Sequence, residues 1–397
     1  MSAHRRAFSR RASRATRAAA TAFALVLIPA ACSSQPDRVQ PSDQTTTVAA
    51  ATTAKASTTF SGHGPFQVGV TTLQMGDTQI EVWYPAAPGA AAGKSRDSYD
   101  ISDWLPPAFK AKVPPNTAPF TTDAYRDIVP STTGPFPLAL FAHGLGGYRD
   151  QSTLITTHLA SWGFIVASPD FLSRGLASEF GQKPATPLTD DQVLNQTIRL
   201  IRAQSDDSSS ELHDMVKPGK VAVIGHSAGG FDAIHFAANP QVLTYISLAA
   251  GSDTGGKIKT TLANKPSLYM SGAEDAVVPE TGVRATYERA PAPARFVELP
   301  NSGHLVFADI CLVGAGQGGV LSIASSLGIT VPADLARLAT DGCEPGKLSI
   351  ADANLVTNHF IVAQLRWAFG IDKAPVGLQP SIVDQFPATY IKYEQKN

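Results

Sequence analysis

Short apolar runs rich in β-branched residues alternate with helical patterns along most of the chain. The apolar runs predict strands at 79–84, 137–142, 163–168, 220–225, 243–249, 266–271 and 295–299. Helical patterns fall at 152–162, 190–204, 228–238, 280–289 and 352–369. Because strands that are apolar almost throughout are buried on both faces, the alternation predicts an α/β fold, with a mostly parallel sheet and helices on both of its faces.

Two stretches interrupt this alternation. Residues 86–134 are Pro-rich, and residues 305–350 are Gly-rich and contain Cys311 and Cys343. Long insertions in compact domains usually form functional loops, so we expect the second one to be a lid. A disulfide between its two cysteines would stabilise it by about 3–4 kcal/mol in the chain-entropy model.

The N-terminus has the pattern of an export signal. In residues 1–31, six arginines precede an apolar run at 18–31 that is too short to span a bilayer. The pair Arg5-Arg6, followed by Phe8, resembles a twin-arginine signal, and a general secretory signal is the alternative. Either signal predicts that the protein is exported.

A cysteine follows this signal in a context that resembles a bacterial lipobox. Small residues precede Cys32, although Pro29 stands where a leucine-like residue is usual. Acylation of Cys32 would anchor the protein to the cell envelope, and simple cleavage would release it. Since three cysteines leave one unpaired, lipidation of Cys32 would free the other two to pair. Residues 32–62 are polar and small, which predicts a flexible tether before a domain at 63–397.

Charge and composition exclude several classes of protein. Hydrophobic residues make up 43% of the 397 residues, which is typical of a globular chain. The net charge of −1 conceals a basic signal, and residues 32–397 carry 26 basic and 33 acidic side chains, a net charge of −7. Such an acidic body is repelled by phosphates, so we expect no nucleic-acid partner.

The clearest chemical motif is Gly-x-Ser-x-Gly at 225–229, between a predicted strand and a predicted helix. In this context a serine occupies a sharp strand-to-helix turn known as a nucleophile elbow. Side chains at Gly225 and Gly229 would collide with neighbouring backbone, and Ser227 lies at a helix N-terminus that favours developing negative charge. The motif predicts that Ser227 is a nucleophile.

A serine nucleophile needs a base, and the base needs an orienting carboxylate. Asp275 and His304 follow predicted strands in the order that the elbow fold requires. Glu274 and Asp170 are alternative acids. Among other histidines, His226 lies within the elbow motif, His235 is expected to be a packing residue on the helix after Ser227, and His359 lies in the last predicted helix.

The oxyanion hole is predicted at the end of an early strand, where residues 143–147 read His-Gly-x-Gly-Gly. Backbone N–H groups of Leu145 and Ala228 are the expected donors. We expect His143 to hold this loop in place, and a second catalytic base is the alternative for it.

These motifs together resemble the α/β-hydrolase superfamily, and most closely the predicted dienelactone hydrolases and bacterial relatives of platelet-activating-factor acetylhydrolase. The resemblance is carried, in order, by residues 66–70, 80–85, 141–147 and 225–230. It implies ester hydrolysis by Ser227, Asp275 and His304, with no metal and no cofactor. The Cys-bearing segment after His304 is outside the pattern of these families.

The sequence therefore predicts a carboxylic-ester hydrolase outside the cytoplasmic membrane, acting on short-chain or lipid esters. A polyester or cutinase-like hydrolase with an open groove, and a non-catalytic envelope-binding lipoprotein, are the alternatives. Apolar residues expected near the pocket are Tyr148, Phe171, Phe231, Val277 and Leu305.

Overall fold

The structure is a computed structural model that describes residues 59–251, 261–388 and 390–397. The predicted export signal and Cys32 lie outside these residues, as does the predicted tether up to residue 58. The packed chain begins before residue 63, because Phe60 is buried and its N–H donates to Nδ1 of His359 at 2.8 Å. Across the described ranges, no helix has the length and apolar character needed to cross a membrane.

All seven predicted strands are present, and the described residues form five more that the sequence does not predict. In chain order the strands are β1 (Val68–Met75), β2 (Thr78–Pro85), β3 (Ser98–Asp100), β4 (Pro119–Thr121), β5 (Tyr125–Arg126), β6 (Leu138–Ala142), β7 (Ile165–Pro169), β8 (Val221–His226), β9 (Val242–Leu248), β10 (Ser267–Gly272), β11 (Ala294–Leu299) and β12 (Lys392–Lys396). The predicted ones are β2 and β6 to β11.

The α-helices include all five that the sequence predicts. They are α1 (Pro107–Lys110), α2 (Thr153–Ser161), α3 (Leu176–Glu179), α4 (Asp190–Asp206), α5 (Ala228–Phe236), α6 (Glu280–Arg289), α7 (Gly319–Ser326), α8 (Ala333–Leu338) and α9 (Ile350–Ala368).

Ten of these strands form one sheet in the order β12-β11-β10-β9-β8-β6-β7-β2-β1-β5. The six strands from β7 to β11 in this order run parallel, and antiparallel pairs join β2 to β7, β1 to β2, and β11 to β12. The mostly parallel α/β sheet is therefore confirmed.

The sheet is buried on both faces, as its apolar strands require. Along β6, Ala139 and Phe141 pack with α2 and α9, whereas Leu138 and Leu140 pack on the opposite face with α4. Every residue of β6, β8, β10 and β11 is buried. This rigid frame fixes the loops at the carboxyl ends of the parallel strands, where sites of open α/β sheets lie.

The two insertions have local structure of their own. The first contains the antiparallel pair β3 and β4, with α1 between them in the chain, and β5, which pairs with β1 at the sheet edge. The second contains α7 and α8, and a disulfide joins Cys311 to Cys343 across it.

Candidate active site

Ser227 occupies the turn between β8 and α5, as the motif predicts. Its backbone has φ 56° and ψ −120°, a conformation that side-chain-bearing residues rarely adopt. The N–H of Ser227 donates to the carbonyl of Leu248 at 2.9 Å, which holds the turn against β9. Ser227 immediately precedes the first turn of α5, where N–H groups lack partners within the helix.

The flanking glycines are required by close backbone contacts. A Cβ at Gly225 would lie 1.9 Å from the carbonyl oxygen of Gly229, and one at Gly229 would lie 2.0 Å from that of Ala142. Either side chain would force strand and helix apart, so these glycines allow the sharp turn to form.

Asp275 and His304 meet through a hydrogen bond between their side chains. Nδ1 of His304 lies 2.8 Å from Oδ2 of Asp275, and both side chains are almost completely buried. The other carboxylate oxygen of Asp275 accepts the N–H groups of Val277 at 2.9 Å and Val278 at 2.7 Å. The carboxylate is therefore fixed by its own loop.

This pairing determines which imidazole nitrogen is available for chemistry. Because Nδ1 faces a carboxylate, it carries the proton and donates it to Asp275. Nε2 of His304 is then unprotonated in the neutral ring and is able to accept a proton, as a general base must.

His226 links the loop of His304 to the elbow. Its Nε2 faces the main-chain oxygen of His304 at 3.0 Å and must donate, and the two imidazole rings have centroids 4.8 Å apart. Nδ1 of His226 then accepts a hydrogen bond from the side-chain amide of Gln151 at 2.9 Å. Burial lowers the pKa of His226 to about 3, with a further contribution from His304, so its ring is neutral.

The same glutamine reaches the predicted oxyanion loop. Oε1 of Gln151 accepts the N–H of Gly144 at 3.1 Å, so one side chain joins this loop to the residue before the nucleophile. Sequence reasoning missed Gln151, because a polar residue just before a helix carries no motif. Its role is visible only once three loops have been brought together.

The loop 143–147 lies directly against Ser227, since a Cβ at Gly144 would be 3.2 Å from the Cβ of Ser227. The N–H of Gly146 donates to the carbonyl of Arg174, and that of Gly147 to the carbonyl of Gly144. The backbone N–H of Leu145 is the donor that the sequence predicts for the oxyanion hole from this loop. The second predicted donor is the N–H of Ala228, which is the first residue of α5.

His143 is a structural residue of this loop. Its Nδ1 lies 2.8 Å from the carbonyl of Gly144 and its Nε2 accepts the N–H of Phe171 at 3.0 Å. Burial, and after it the charge of Arg174, lowers the pKa of His143 to about 3. Both ring nitrogens are occupied, so the alternative of a second base has no geometric support.

The remaining alternatives have other partners. Asp170 accepts hydrogen bonds from Arg149 and Trp104, and Glu274 forms an ion pair with Lys347. His359 lies between the N–H of Phe60 and the carbonyl of Gly377 in the interior. His235 lies on α5, where it is exposed and its ring contacts Phe231, so the expectation of a packing role in the interior is wrong.

An apolar pocket opens beside this site. It contains about 1020 Å³ of empty space, including its open mouth. Leu145 and Leu305, which adjoin the predicted oxyanion hole and His304, both line it. Much of the remaining wall comes from the two insertions and includes Ile101, Leu105, Val320, Ile323, Ala324 and Leu335.

The pocket differs in part from the expected one. Tyr148 and Leu305 line it, as expected, whereas Phe171, Phe231 and Val277 do not. The expectation followed the loops of the sheet and omitted the walls that the insertions supply. Within the described ranges, no three His, Cys, Asp or Glu side chains lie together as a metal site would require.

The chain is similar to known proteins in fold and in sequence. A solved structure titled ferulic acid esterase, from Streptomyces cinnamoneus, superposes with a TM-score of 0.55 over 83% of this chain and 96% of that one, at 19% identity. The chain has the α/β-hydrolase fold. A family model for chlorophyllase matches residues 100–259 of the chain. Platelet-activating factor acetylhydrolase of Cavia porcellus is 24% identical over 338 residues, which are 70% of this chain and 75% of that protein.

These similarities confirm the resemblance to α/β-hydrolase esterases that the motifs indicate. The chain is similar to an esterase and to an acetylhydrolase, so an esterase-like hydrolase is supported.

Proposed function

We propose that this protein is a serine carboxylic-ester hydrolase that works through an acyl-enzyme. The proposal rests on the buried hydrogen bond of 2.8 Å between the side chains of Asp275 and His304. The main chain of His304 is also hydrogen-bonded to His226, the residue before Ser227. A serine on a strained turn, a base with a free Nε2 and an orienting carboxylate make up the machinery of acyl transfer.

The reaction runs in two halves. Oγ of Ser227 attacks the ester carbonyl carbon while Nε2 of His304 takes the hydroxyl proton, and Asp275 stabilises the imidazolium. The N–H groups of Leu145 and Ala228 hold the oxyanion. The proton passes to the departing alcohol, and water repeats the sequence to release the acid and free Ser227.

The pocket supports an ester with an apolar group as substrate. Its walls are mostly aliphatic, so burying a chain there stabilises binding by up to about 0.8 kcal/mol per methylene. Because two insertions cover the pocket, it suits a small molecule better than a polymer, which would need an open groove. The structure thus favours a short-chain or lipid ester over the polyester alternative.

We place this activity outside the cytoplasmic membrane. The predicted export signal and the lipobox-like context of Cys32 support that location, and the Cys311–Cys343 bond is of a kind that persists in oxidising compartments.

The proposal is tested with p-nitrophenyl esters of two to twelve acyl carbons and with acetates of alcohols of the same lengths. We expect kcat/KM to rise with chain length in one of the two series. Ser227→Ala should lose roughly 10⁴-fold in turnover, because it removes the covalent route, while binding persists. Ser325→Ala, an exposed serine on α7, is the matched control. Wild-type turnover in Ser227→Ala would overturn the assignment.

A further inference from the structure

The second insertion does more than cover the pocket, because its C-terminal part packs against the loops of both Asp275 and His304. The carbonyl of Asn301 accepts the N–H of Leu348 at 2.8 Å, and Lys347 pairs with Glu274 beside Asp275. Neither contact touches a reacting group, but together they bring residues 341–348 against the two loops.

Asp341 makes the central contacts of this segment. Its Oδ2 accepts the N–H of Ala276 at 2.8 Å, and its Oδ1 accepts the N–H of His304 at 3.2 Å. Its own carbonyl oxygen accepts the N–H of Leu305 at 2.9 Å. One residue therefore bonds the residue after Asp275 and also the main chain of His304.

The approach of Asp341 depends on glycines. A Cβ at Gly303 would lie 2.1 Å from Oδ1 of Asp341 and 2.5 Å from the nitrogen of Gly342. Gly342 itself has φ 96°, which a side chain would disfavour. The absence of side chains at 303 and 342 is what lets the carboxylate reach between the loops.

The disulfide anchors this carboxylate from the other side. Cys343 lies two residues after Asp341, and its bond to Cys311 ties it to the chain a few residues beyond His304. The segment is thus held at one end by a covalent bond and at the other by the contacts of Lys347 and Leu348.

We propose that Asp341 is a positioning residue that clamps the loop of the catalytic acid to the loop of the base, and that the Cys311–Cys343 disulfide holds it there. This inference rests on the proposed function of Ser227, Asp275 and His304. Asp341 contacts no reacting atom, so it acts through the alignment of the Asp275–His304 pair.

Alignment of this kind affects turnover more than binding. A displacement of about 1 Å in a catalytic group costs on the order of 10²-fold in rate. The substrate pocket is lined by other parts of the insertion, so loosening the clamp leaves apolar contacts with the substrate in place. The clamp therefore predicts a loss in kcat with KM nearly constant.

The test compares Asp341→Ala and Asp341→Asn with the wild type. We expect kcat to fall about 10- to 100-fold in Asp341→Ala, with KM within about twofold. Asp341→Asn keeps one side-chain oxygen acceptor of two and should lose less. Asp334→Ala, which removes an exposed carboxylate of the same insertion, is the matched control and should retain wild-type kcat.

A proton NMR readout separates this inference from the proposed function. The Nδ1–H of His304, hydrogen-bonded to Asp275, should give a downfield resonance in the wild type that exchanges faster with solvent in Asp341→Ala. This signal requires no substrate, so it tests the clamp even if the wild type hydrolyses no ester. An unchanged resonance in folded Asp341→Ala, or a wild-type kcat, would overturn the clamp.

The role of the disulfide is tested by Cys311→Ser/Cys343→Ser. We expect this double variant to show a lower kcat, a faster-exchanging His304 resonance and an unchanged KM, in the same direction as Asp341→Ala. If the double variant keeps full kcat while Asp341→Ala loses it, the clamp holds without the disulfide and that half of the proposal is wrong.

Discussion

At the scale of single residues, four buried histidines share one arrangement. Each places one ring nitrogen within 2.7–3.0 Å of a main-chain carbonyl oxygen, and they are His143, His158, His226 and His359. Burial is the largest cause lowering the pKa of each, to about 3 for His143 and His226 and about 4 for His158 and His359. All four are neutral in the folded protein near pH 7.

The neutral, buried histidines make the folded protein less stable in acid. Below pH 6.5 these histidines become protonated in the unfolded chain but stay neutral in the folded one. Each therefore lowers the free energy of unfolding as the pH falls towards its folded pKa. Asp309 acts in the opposite direction, because burial raises its pKa to about 7 and folding then favours its protonated form. Single variants separate these contributions.

We predict that His158→Gln flattens the acid side of the stability curve. The wild type should lose about 1.4 kcal/mol per pH unit more than the variant between pH 6.5 and about 4, where His158 stays neutral only in the fold. Urea unfolding followed by tryptophan fluorescence at pH 8, 6.5, 5.5 and 4.5 measures the difference. Parallel curves for the two proteins would contradict the expected titration.

The residues that sequence reasoning found are those that a motif marks. Ser227 is fixed by its flanking glycines, and Asp275 and His304 follow from the order of strands. Sequence reasoning did not identify Asp341 and Gln151, because their contacts join segments that are far apart in the chain. A lone Asp or Gln in a polar stretch carries no local signal of such contacts.

At the scale of elements, the lid is the feature that the sequence predicts only in outline. Helix α7 has half-buried apolar side chains over the pocket, and glycines with φ above 60° stand at both of its ends, namely Gly318, Gly319 and Gly328. The Gly-rich composition indicates an insertion, but the same glycines interrupt the helical pattern, so the sequence does not predict the short helices α7 and α8. Which of their side chains line a pocket depends on how the insertions meet.

We predict that Ala324→Trp shortens the substrate chain that the pocket accepts. Ala324 lines the pocket from α7, whereas the next residue, Ser325, is exposed. An indole at 324 should reduce kcat/KM at least about tenfold for an ester that carries an eight-carbon chain. For methyl acetate, whose acyl and alcohol groups are both small, kcat/KM should change less than about twofold.

Ser325→Trp is the control for this prediction, because it adds the same side chain on the solvent face of the same helix. It should leave the rates for both chain lengths within about twofold of the wild type. Equal losses for short and long esters in Ala324→Trp would mean that the pocket does not hold the chain.

At the scale of the whole molecule, the sheet explains why distant residues meet. β10 and β11 are neighbouring parallel strands in register, with Gly272 opposite Leu299, so the loops that follow them lie side by side. The elbow follows β8, which lies two strands from β10 and three from β11 in the same parallel run. The alternation of strands and helices predicts this arrangement from sequence alone.

The sheet edges were harder to predict. β12 is a polar strand whose side chains are exposed or half-buried, and among the described strands β11 is its one partner. Without an apolar alternation it resembles a loop, so only the pairing itself reveals it. Its absence from the prediction leaves the placement of His304 unaffected, because His304 follows β11, and the apolar pattern does predict that strand.

The proposed mechanism depends on Ser227 being a nucleophile that His304 activates. The most direct measurement is reaction with a fluorophosphonate, with the adduct located by peptide mass spectrometry and its rate of formation measured. We expect one adduct, on Ser227, that is absent in Ser227→Ala and forms at least roughly 10²-fold more slowly in His304→Ala. An adduct on another residue, no adduct on the folded wild type, or wild-type labelling of His304→Ala would contradict it.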